Sequence, residues 1–321
     1  MYEDMKIFVT GASGLVGKSL IKLLIKENHE VFGLVRNDES VENLKALNAT
    51  PIKGDLKIIK NYIEILKGVD VVVHSGALIR FVGAFEEFFQ INVQATEKLL
   101  ITSIEAGVKK FIYISAAAVS LDGNPLIDIS EEYQPQKRIE SNYLKSKLLA
   151  EKEILKRRDE IQVIILRPPV IWGPGMRIME EFRGTIKKMG FPTIGDPNHH
   201  LATCHVDNLN AAILKSIIND SVDGIFHVSD EEKVKVKIFM NELIKGYGMK
   251  MGNLHLSKNI AMIMARMMEF IWKTFNLKGD PPISTIIVHL MGTEFTINDS
   301  KARRELGYHD VTSIAEGLKQ L

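Results

Sequence analysis

Tyr143-Leu-Lys-Ser-Lys147 puts a phenol and an ammonium four residues apart. On a helix, side chains at that spacing share one face. An ammonium beside a phenol favours the phenolate, so Lys147 is expected to lower the Tyr143 pKa toward a range useful for proton transfer. Such pairs also occur on solvated helix faces, and context decides between the two. Here the context is Thr10-Gly-Ala-Ser-Gly-Leu-Val-Gly17, directly after a strand-like run and at the start of a helical one. Gly11 permits a tight turn, Gly14 lets the backbone approach a pyrophosphate, and Gly17 lets the helix pack close on the strand. The helix start then offers free N–H groups and a positive dipole end. An ordinary glycine turn would need none of this arrangement. Behind a dinucleotide cradle, the Tyr143/Lys147 pair becomes far more telling.

The end of the second strand bears on the choice of dinucleotide. An acid there would bind the ribose 2′-hydroxyl of NAD. The run is Gly33-Leu-Val-Arg-Asn37, without an acid, and the Arg36 guanidinium suits a 2′-phosphate. NADP is therefore the expected cofactor, with NAD as the alternative if Arg36 is a solvated surface residue. Asp55, after a further short strand, either accepts from the adenine amino group or caps the next helix.

These residues need elements to hold them. Lys6–Thr10, Glu30–Val35, Val69–His74, Lys110–Ser115 and Gln162–Leu166 read as strands. Leu15–Glu27, Phe88–Ala106 and Tyr143–Lys156 read as helices. Alternation of this kind implies an α/β fold, a doubly wound parallel sheet of the Rossmann type covered on both faces. After Arg167, prolines and glycines break the pattern. The expected division is a dinucleotide-binding domain over 1–167 and a smaller C-terminal substrate-binding lobe over 168–321, with an excursion at about 201–230 back to the sheet. Lys+Arg is 41 against 40 Asp+Glu, which gives no basic surplus for a nucleic-acid partner. The single cysteine, Cys204, excludes an intrachain disulfide and fits a reducing, cytoplasmic setting. The acidic N-terminal segment is unlike a signal peptide, and no stretch has the roughly 20 uninterrupted apolar residues of a membrane span.

Further motifs extend over nearly the whole chain: His74-Ser-Gly-Ala77, Asn92 in Ile-Asn-Val-Gln-Ala-Thr, Tyr113-Ile-Ser115, Arg167-Pro-Pro-Val-Ile-Trp-Gly-Pro-Gly175, His205-Val-Asp207, Asp280-Pro-Pro-Ile283 and Ser300-Lys-Ala-Arg-Arg-Glu-Leu-Gly-Tyr308. With the glycine loop, Asp55 and the Tyr143/Lys147 pair, they resemble the extended short-chain dehydrogenase/reductases. The branch is that of the NAD-dependent epimerase/dehydratases, dihydroflavonol reductases and 3β-hydroxysteroid dehydrogenases. The C-terminal motifs look most like the last group, and Val35-Arg36 looks like the NADP-using dihydroflavonol reductases. The resemblance implies that Tyr143 gives a proton to a substrate carbonyl as hydride arrives, and that Lys147 binds the nicotinamide ribose. It further implies cofactor contacts from Ser13, Leu15, Val16, Leu56, Ser75, Gly76, Ala77 and Asn92, and from Pro168 and Val170 near the carboxamide. By analogy it implies a homodimer.

One position departs from that pattern. The catalytic hydroxyl that the resemblance places after the fourth strand falls on Ala116, which has none; Ser115, if the loop is shifted by about one residue, or else Ser120, Thr203, a water or the substrate itself must substitute. Loss of one such donor costs roughly 10²–10³ in rate. His74 is expected to be structural, and His205 and Asp207 to fix a loop and cap a helix. His199-His200 lacks the second ligand cluster a metal needs. The segment at 260–275, crowded with Met262, Met264, Met267 and Met268, reads as a core or dimer helix, a wall for an apolar substrate, or a membrane-surface contact. The leading expectation is reduction of a ketone, or oxidation of a secondary alcohol, on a mainly apolar small molecule. Alternatives are a nucleotide-sugar epimerase or dehydratase using bound NAD, with Arg177, Arg183, Lys187 and Lys188 as candidate diphosphate ligands, and a dinucleotide-binding sensor or scaffold with weak or no catalysis.

Overall fold

The computed structural model describes residues 4–135 and 137–321, apart from the side chains at 182, 185 and 187–189. Part of the N-terminal segment, and the side chains of Lys187 and Lys188, thus lie outside the described residues.

Seven runs form one sheet: β1 (Lys6–Thr10), β2 (Glu30–Val35), β3 (Thr50–Lys53), β4 (Val71–His74), β5 (Lys110–Ile114), β6 (Gln162–Arg167) and β7 (Gly224–His227). Their order is β7-β6-β5-β4-β1-β2-β3, and every neighbouring pair is parallel. The β-branched run Val71–Val73 is buried because helices cover both faces. The chain winds outward from β1 to β3, then crosses to the other side at β4. The carboxyl ends of β1 and β4 are therefore the switch point at which a ligand crevice opens.

On one face, α1 (Leu15–Lys26) lies beside the later helix Val206–Ile218; α2 (Asp38–Lys45) follows β2. The opposite face carries α3 (Ala95–Glu105) and α4 (Asn142–Leu155). The helix expected over Phe88–Ala106 is not uniform: Phe85–Phe88 is α-helical, Phe89–Gln94 is a π-turn, and α3 resumes at Ala95. Inside the π-turn, Asn92 turns its side chain to the backbone of another segment. An extra residue per turn accommodates that reach.

The boundary expected at Pro168 is crossed in both directions. Leu126–Ile129 pairs with Phe295–Ile297 in a four-stranded lobe sheet. In return, β7 pairs with β6, and Ala302, Leu306 and Tyr308 join the core beneath β1 and β2. The lobe has its own core, built around Trp172, Leu201, Phe239 and Phe295. Its long helix, α5 (Lys258–Thr274), buries only Ala261 and Ala265. Met262 and Met268 pack against the lobe core beside these alanines, whereas Ile260, Ile263, Met267 and Phe270 are all more than half exposed, so only one face of this Met-rich segment is core.

Candidate active site

The glycine loop connects β1 to α1, at the switch point. Gly11 adopts a φ of +67°, in the left-handed region, and a Cβ there would lie 2.8 Å from the Gly76 nitrogen. A Cβ on Gly17 would come within 2.3 Å of the Gly11 carbonyl oxygen. Only glycine fits at either place. Gly14 stands at the N-cap of α1 with no side-chain cap, so the first N–H groups of the helix keep no side-chain partner, and Ser13 and Gly14 are exposed. Leu15 and Val16 follow, half-buried. A narrow turn ending on an uncapped helix fits a pyrophosphate. Beneath it, Ser75, Gly76 and Ala77 follow β4; the Ser75 hydroxyl donates to the Thr10 carbonyl (2.8 Å).

At the end of β2, Arg36 is exposed and makes no ion pair among the described residues. Asn37 is committed elsewhere, since its side chain accepts from the Ser40 amide (2.8 Å) at the N-cap of α2. Asp38 pairs with Lys53 (2.6 Å), and Lys45 with Glu42 (2.8 Å). Asp55 accepts from the Lys57 amide (2.8 Å), a turn-capping role, and Leu56 accepts from the Tyr62 hydroxyl (2.7 Å) through its carbonyl.

Ser141 caps α4 and starts the helix just before Tyr143. Tyr143 and Lys147 follow at successive turns. Asn92 accepts from the Leu78 amide (2.7 Å) and donates to the Leu78 carbonyl (3.0 Å) and the Ser146 hydroxyl (2.9 Å). Ser146 in turn donates to the Tyr143 carbonyl (2.7 Å). Asn92 thus ties the loop after β4 to the helix turn that carries the phenol. Lys147 is buried, donates to the Ile114 carbonyl (2.6 Å) and stands 4.1 Å above the Tyr113 ring. Burial draws its pKa down to about 7, against the pull of Glu151. Tyr143 is half-buried, and desolvation pushes its phenol up to about 12. The expected lowering by Lys147 is not what this geometry produces. The ammonium proton goes to a backbone carbonyl, and desolvation of the phenolate dominates.

Ser115 stays in the sheet, its amide donating to the Leu166 carbonyl (2.8 Å). Its hydroxyl is buried with no partner among the described residues. Ala116 is extended, and the Ala117 amide next to it donates to the Pro168 carbonyl (2.8 Å). That bond sets the loop of Pro168 and half-buried Val170 beside β5. Thr203 does not substitute for the missing hydroxyl, because its own proton goes to Asp230 (2.8 Å). His205 caps the helix Val206–Ile218, accepting from the Asp207 amide (3.3 Å), and packs edge-on against Trp172. His74 is buried in the nucleotide domain. His200 faces Glu294 (3.1 Å), and no group of three metal-ligating side chains occurs among the described residues.

Several site residues carried no clear signal in the sequence. Glu151 grips Arg167 through two bonds (2.9 and 2.6 Å) and locks α4 to the end of β6. Only its place eight residues after Tyr143, on the buried side of the helix, could have suggested it. Asp280 accepts from the Phe81 amide (2.6 Å) and so straps the lobe to the loop after β4. A cleft of about 620 Å³ lies between α4 and α5. Four cations, Arg138, Lys145, Arg266 and Lys273, and two acids, Glu140 and Glu269, line it among Leu121, Leu148 and Phe270. Asn142 and Leu144, on either side of Tyr143, also line it. By contrast, Arg177 and Arg183 are engaged with Glu181 (3.2 Å) and Glu180 (2.9 Å).

Comparison with known proteins places this geometry. Residues 8–258 match the model of the 3-beta hydroxysteroid dehydrogenase/isomerase family. The chain is 31% identical to a sterol-4-alpha-carboxylate 3-dehydrogenase, decarboxylating, of Dictyostelium discoideum, over 98% of this chain and 99% of that one. It is 30% identical to a 4-hydroxy-2-methyl-3-oxo-4-farnesyl-3,4-dihydroquinoline-1-oxide ketoreductase of Stigmatella aurantiaca, over 99% and 96%. Among solved structures, a UDP-glucose 4-epimerase of Thermotoga maritima superposes with a TM-score of 0.76 at 20% identity, over 98% of this chain and 97% of that one. At that identity the likeness shows the fold, not the reaction. The glycine cradle, the Tyr143/Lys147 helix and a match over most of the chain agree that this is a nicotinamide-dinucleotide oxidoreductase of the extended short-chain type, and that the chain belongs to the 3-beta hydroxysteroid dehydrogenase/isomerase family.

Proposed function

We propose that the protein reduces a ketone standing β to a carboxylate on an apolar skeleton, with NADPH as cofactor. The observation that carries the reaction is Tyr143, a phenol kept protonated by desolvation beside buried Lys147. At neutral pH such a group is a proton donor. A bound nicotinamide supplies hydride chemistry at the carbonyl carbon. The chain's own part is the proton, which passes from Tyr143 Oη to the ketone oxygen, and a hydroxyl that steadies that oxygen, which we assign to Ser115. Lys147 holds the ribose. Arg36, exposed and unpaired at the end of β2, supports NADP over NAD.

The substrate class rests on the relatives and the cleft. The Dictyostelium relative acts at carbon 3 of a sterol 4-carboxylate, and a relative from Stenotrophomonas maltophilia, 25% identical over 99% of this chain, reduces a 2-alkyl-3-oxoalkanoate. In both names the oxygen function is β to a carboxylate. The four cations lining the cleft beside the Tyr143 turn outnumber its two acids, Glu140 and Glu269, and suit that carboxylate; Leu121, Leu148 and Phe270 suit the alkyl part.

The test is NADPH oxidation with 2-alkyl-3-oxo acids and their methyl esters. The acids are expected to react at least ten-fold faster. Tyr143→Phe should lose 10²–10⁴-fold in kcat with NADPH affinity kept. Arg36→Ala should weaken NADPH about ten-fold or more, one charge-assisted hydrogen bond, and leave NADH unchanged. Esters reacting as fast as acids would refute the substrate class. Normal turnover by Tyr143→Phe would refute the mechanism, and tightly retained NAD would favour the epimerase reading.

The outer face of α5 supports a partner as well. Ile260, Ile263, Met267 and Phe270 make one exposed stripe, continued by Phe275 and Leu277, with Arg266, Lys273 and Lys278 exposed around it. An apolar stripe with exposed cations beside it complements an anionic lipid surface. Flotation with phosphatidylglycerol vesicles should carry the protein, and Ile263→Glu should abolish that with kcat unchanged. A concentration-dependent dimer lost in Ile263→Glu, with no flotation, would assign the stripe to a second copy instead. Among the described residues, no helix is long and apolar enough to cross a membrane.

A further inference from the structure

A chain of hydrogen bonds runs under the cradle to the helix that carries Tyr143. The Gly76 amide donates to Thr10 Oγ1 (3.1 Å). Thr10 Oγ1 lies 2.6 Å from His74 Nδ1, and His74 Nε2 lies 2.7 Å from Thr96 Oγ1. Thr96 donates to the Asn92 carbonyl (2.8 Å), and Asn92 holds Ser146 and the Leu78 loop. His74 and Thr96 are buried, as is Thr10.

A hydroxyl has one proton, so the chain has a direction. The Thr96 proton goes to Asn92, hence Thr96 Oγ1 can only accept from His74, and Nε2 must carry a hydrogen. The neutral ring then has a bare Nδ1, which accepts the Thr10 proton. Thr10 Oγ1 remains free to accept from Gly76. The opposite tautomer would aim two N–H groups at Thr10 Oγ1, and the Thr10 proton would have no acceptor among the described residues. Protonation is disfavoured by the same surroundings. The ring stacks 5.5 Å from Tyr113, whose ring carries the Lys147 ammonium, and burial followed by Lys147 draws the His74 pKa down to about 3.

We propose that His74, fixed as the neutral Nε2–H tautomer, is a positioning residue that couples the dinucleotide cradle at Gly11 and Gly76 to the helix turn bearing Tyr143. Gly76 is the contact that matters at the cradle end, because the Gly11 turn closes on its backbone. At the other end, Asn92 sets the Tyr143 turn through Ser146. A closed, one-directional chain holds both ends in register. An open one releases each end separately.

The affinity readouts below rest on the oxidoreductase reading; the tautomer readout does not. In histidine-labelled wild-type protein, with His74→Phe assigning the signal, ¹⁵N shifts should report an unprotonated Nδ1 and a protonated Nε2 from pH 8 to pH 5. An Nδ1–H tautomer, or titration near pH 6.5, would overturn the proposal. Thr96→Val, which alters no group at the cradle, should still raise the NADPH Kd about ten-fold, as should Thr10→Val; that is roughly one hydrogen bond. The double variant should be no weaker than either single. An additive, hundred-fold loss, or an unchanged Kd with only a lower Tm, would show that the contacts merely stabilise the fold. Should wild-type protein bind no dinucleotide at all, the oxidoreductase reading falls, and the ¹⁵N tautomer alone decides for or against the chain.

Discussion

In the pattern the chain resembles, a hydroxyl stands where this chain has Ala116, and Ser115 comes just before it. The Ala116 side chain offers no polar atom, and the Ser115 hydroxyl is buried without a partner among the described residues. A buried, unsatisfied hydroxyl is costly unless a ligand completes it. We expect Ser115→Ala to lower kcat by about 10², and Ala116→Ser in that background to restore it. Restoration failing while Ser115→Ala is silent would move the role to a water or to the substrate. At this scale the sequence was informative wherever a residue's place depends on its own type: the tight turn at Gly11 and the close packing at Gly17 were legible. It misled on the Tyr143 pKa, because desolvation depends on the surrounding segments, not on a neighbour four residues away. Glu151 was illegible for a related reason. A lone acid in a helix is unremarkable until Arg167 arrives from another strand.

The strand–turn–helix of β1 and α1 is the element that the cradle depends on. Its tolerance is set by the 2.3 Å gap between a Gly17 Cβ and the Gly11 carbonyl. Gly17→Ala is therefore expected to destabilise the fold by about 1–3 kcal/mol and to weaken NADPH binding ten-fold or more, as read by denaturant unfolding and fluorescence titration. Full binding in that variant would mean that the turn relaxes freely. The strands of the sheet were legible as elements because each is a short apolar run bounded by turn residues. The π-turn at Phe89–Gln94 was not, since its cause, the reach of Asn92 to Leu78, is a tertiary contact. The outer face of α5 has a different explanation. Its stripe has helical spacing whether it faces a core, a partner or lipid, and periodicity does not say which.

For the molecule as a whole, buried imidazoles make folding sensitive to acid. Burial holds His74 neutral to about pH 3, and burial together with Arg167 holds His227 neutral to about pH 4. In the unfolded chain each takes its proton near pH 6.5. The unfolded state thus binds more protons as pH falls below 6.5, and stability is lost in that direction, by up to about 1.4 kcal/mol per pH unit for each histidine. Urea midpoints should fall between pH 6.5 and 4.5, and less steeply in His74→Phe. An equal slope in that variant would mean that His74 titrates normally. A change of texture after Arg167 was visible in the sequence. The interleaving of the two parts was not, because strand pairing across the boundary leaves no local trace.

That interleaving restricts how such a molecule can change. The strand Leu126–Ile129 is lent to the lobe, and the turn of helix holding Ala302 and Leu306 is returned to the first core. A lobe cut at residue 168 would leave one sheet short of a strand and strip the other core of its last layer. Neither half is a cassette that recombination could swap intact. New substrates must instead be reached by replacing side chains around the cleft one at a time, with the cradle and its catalytic helix inherited unchanged.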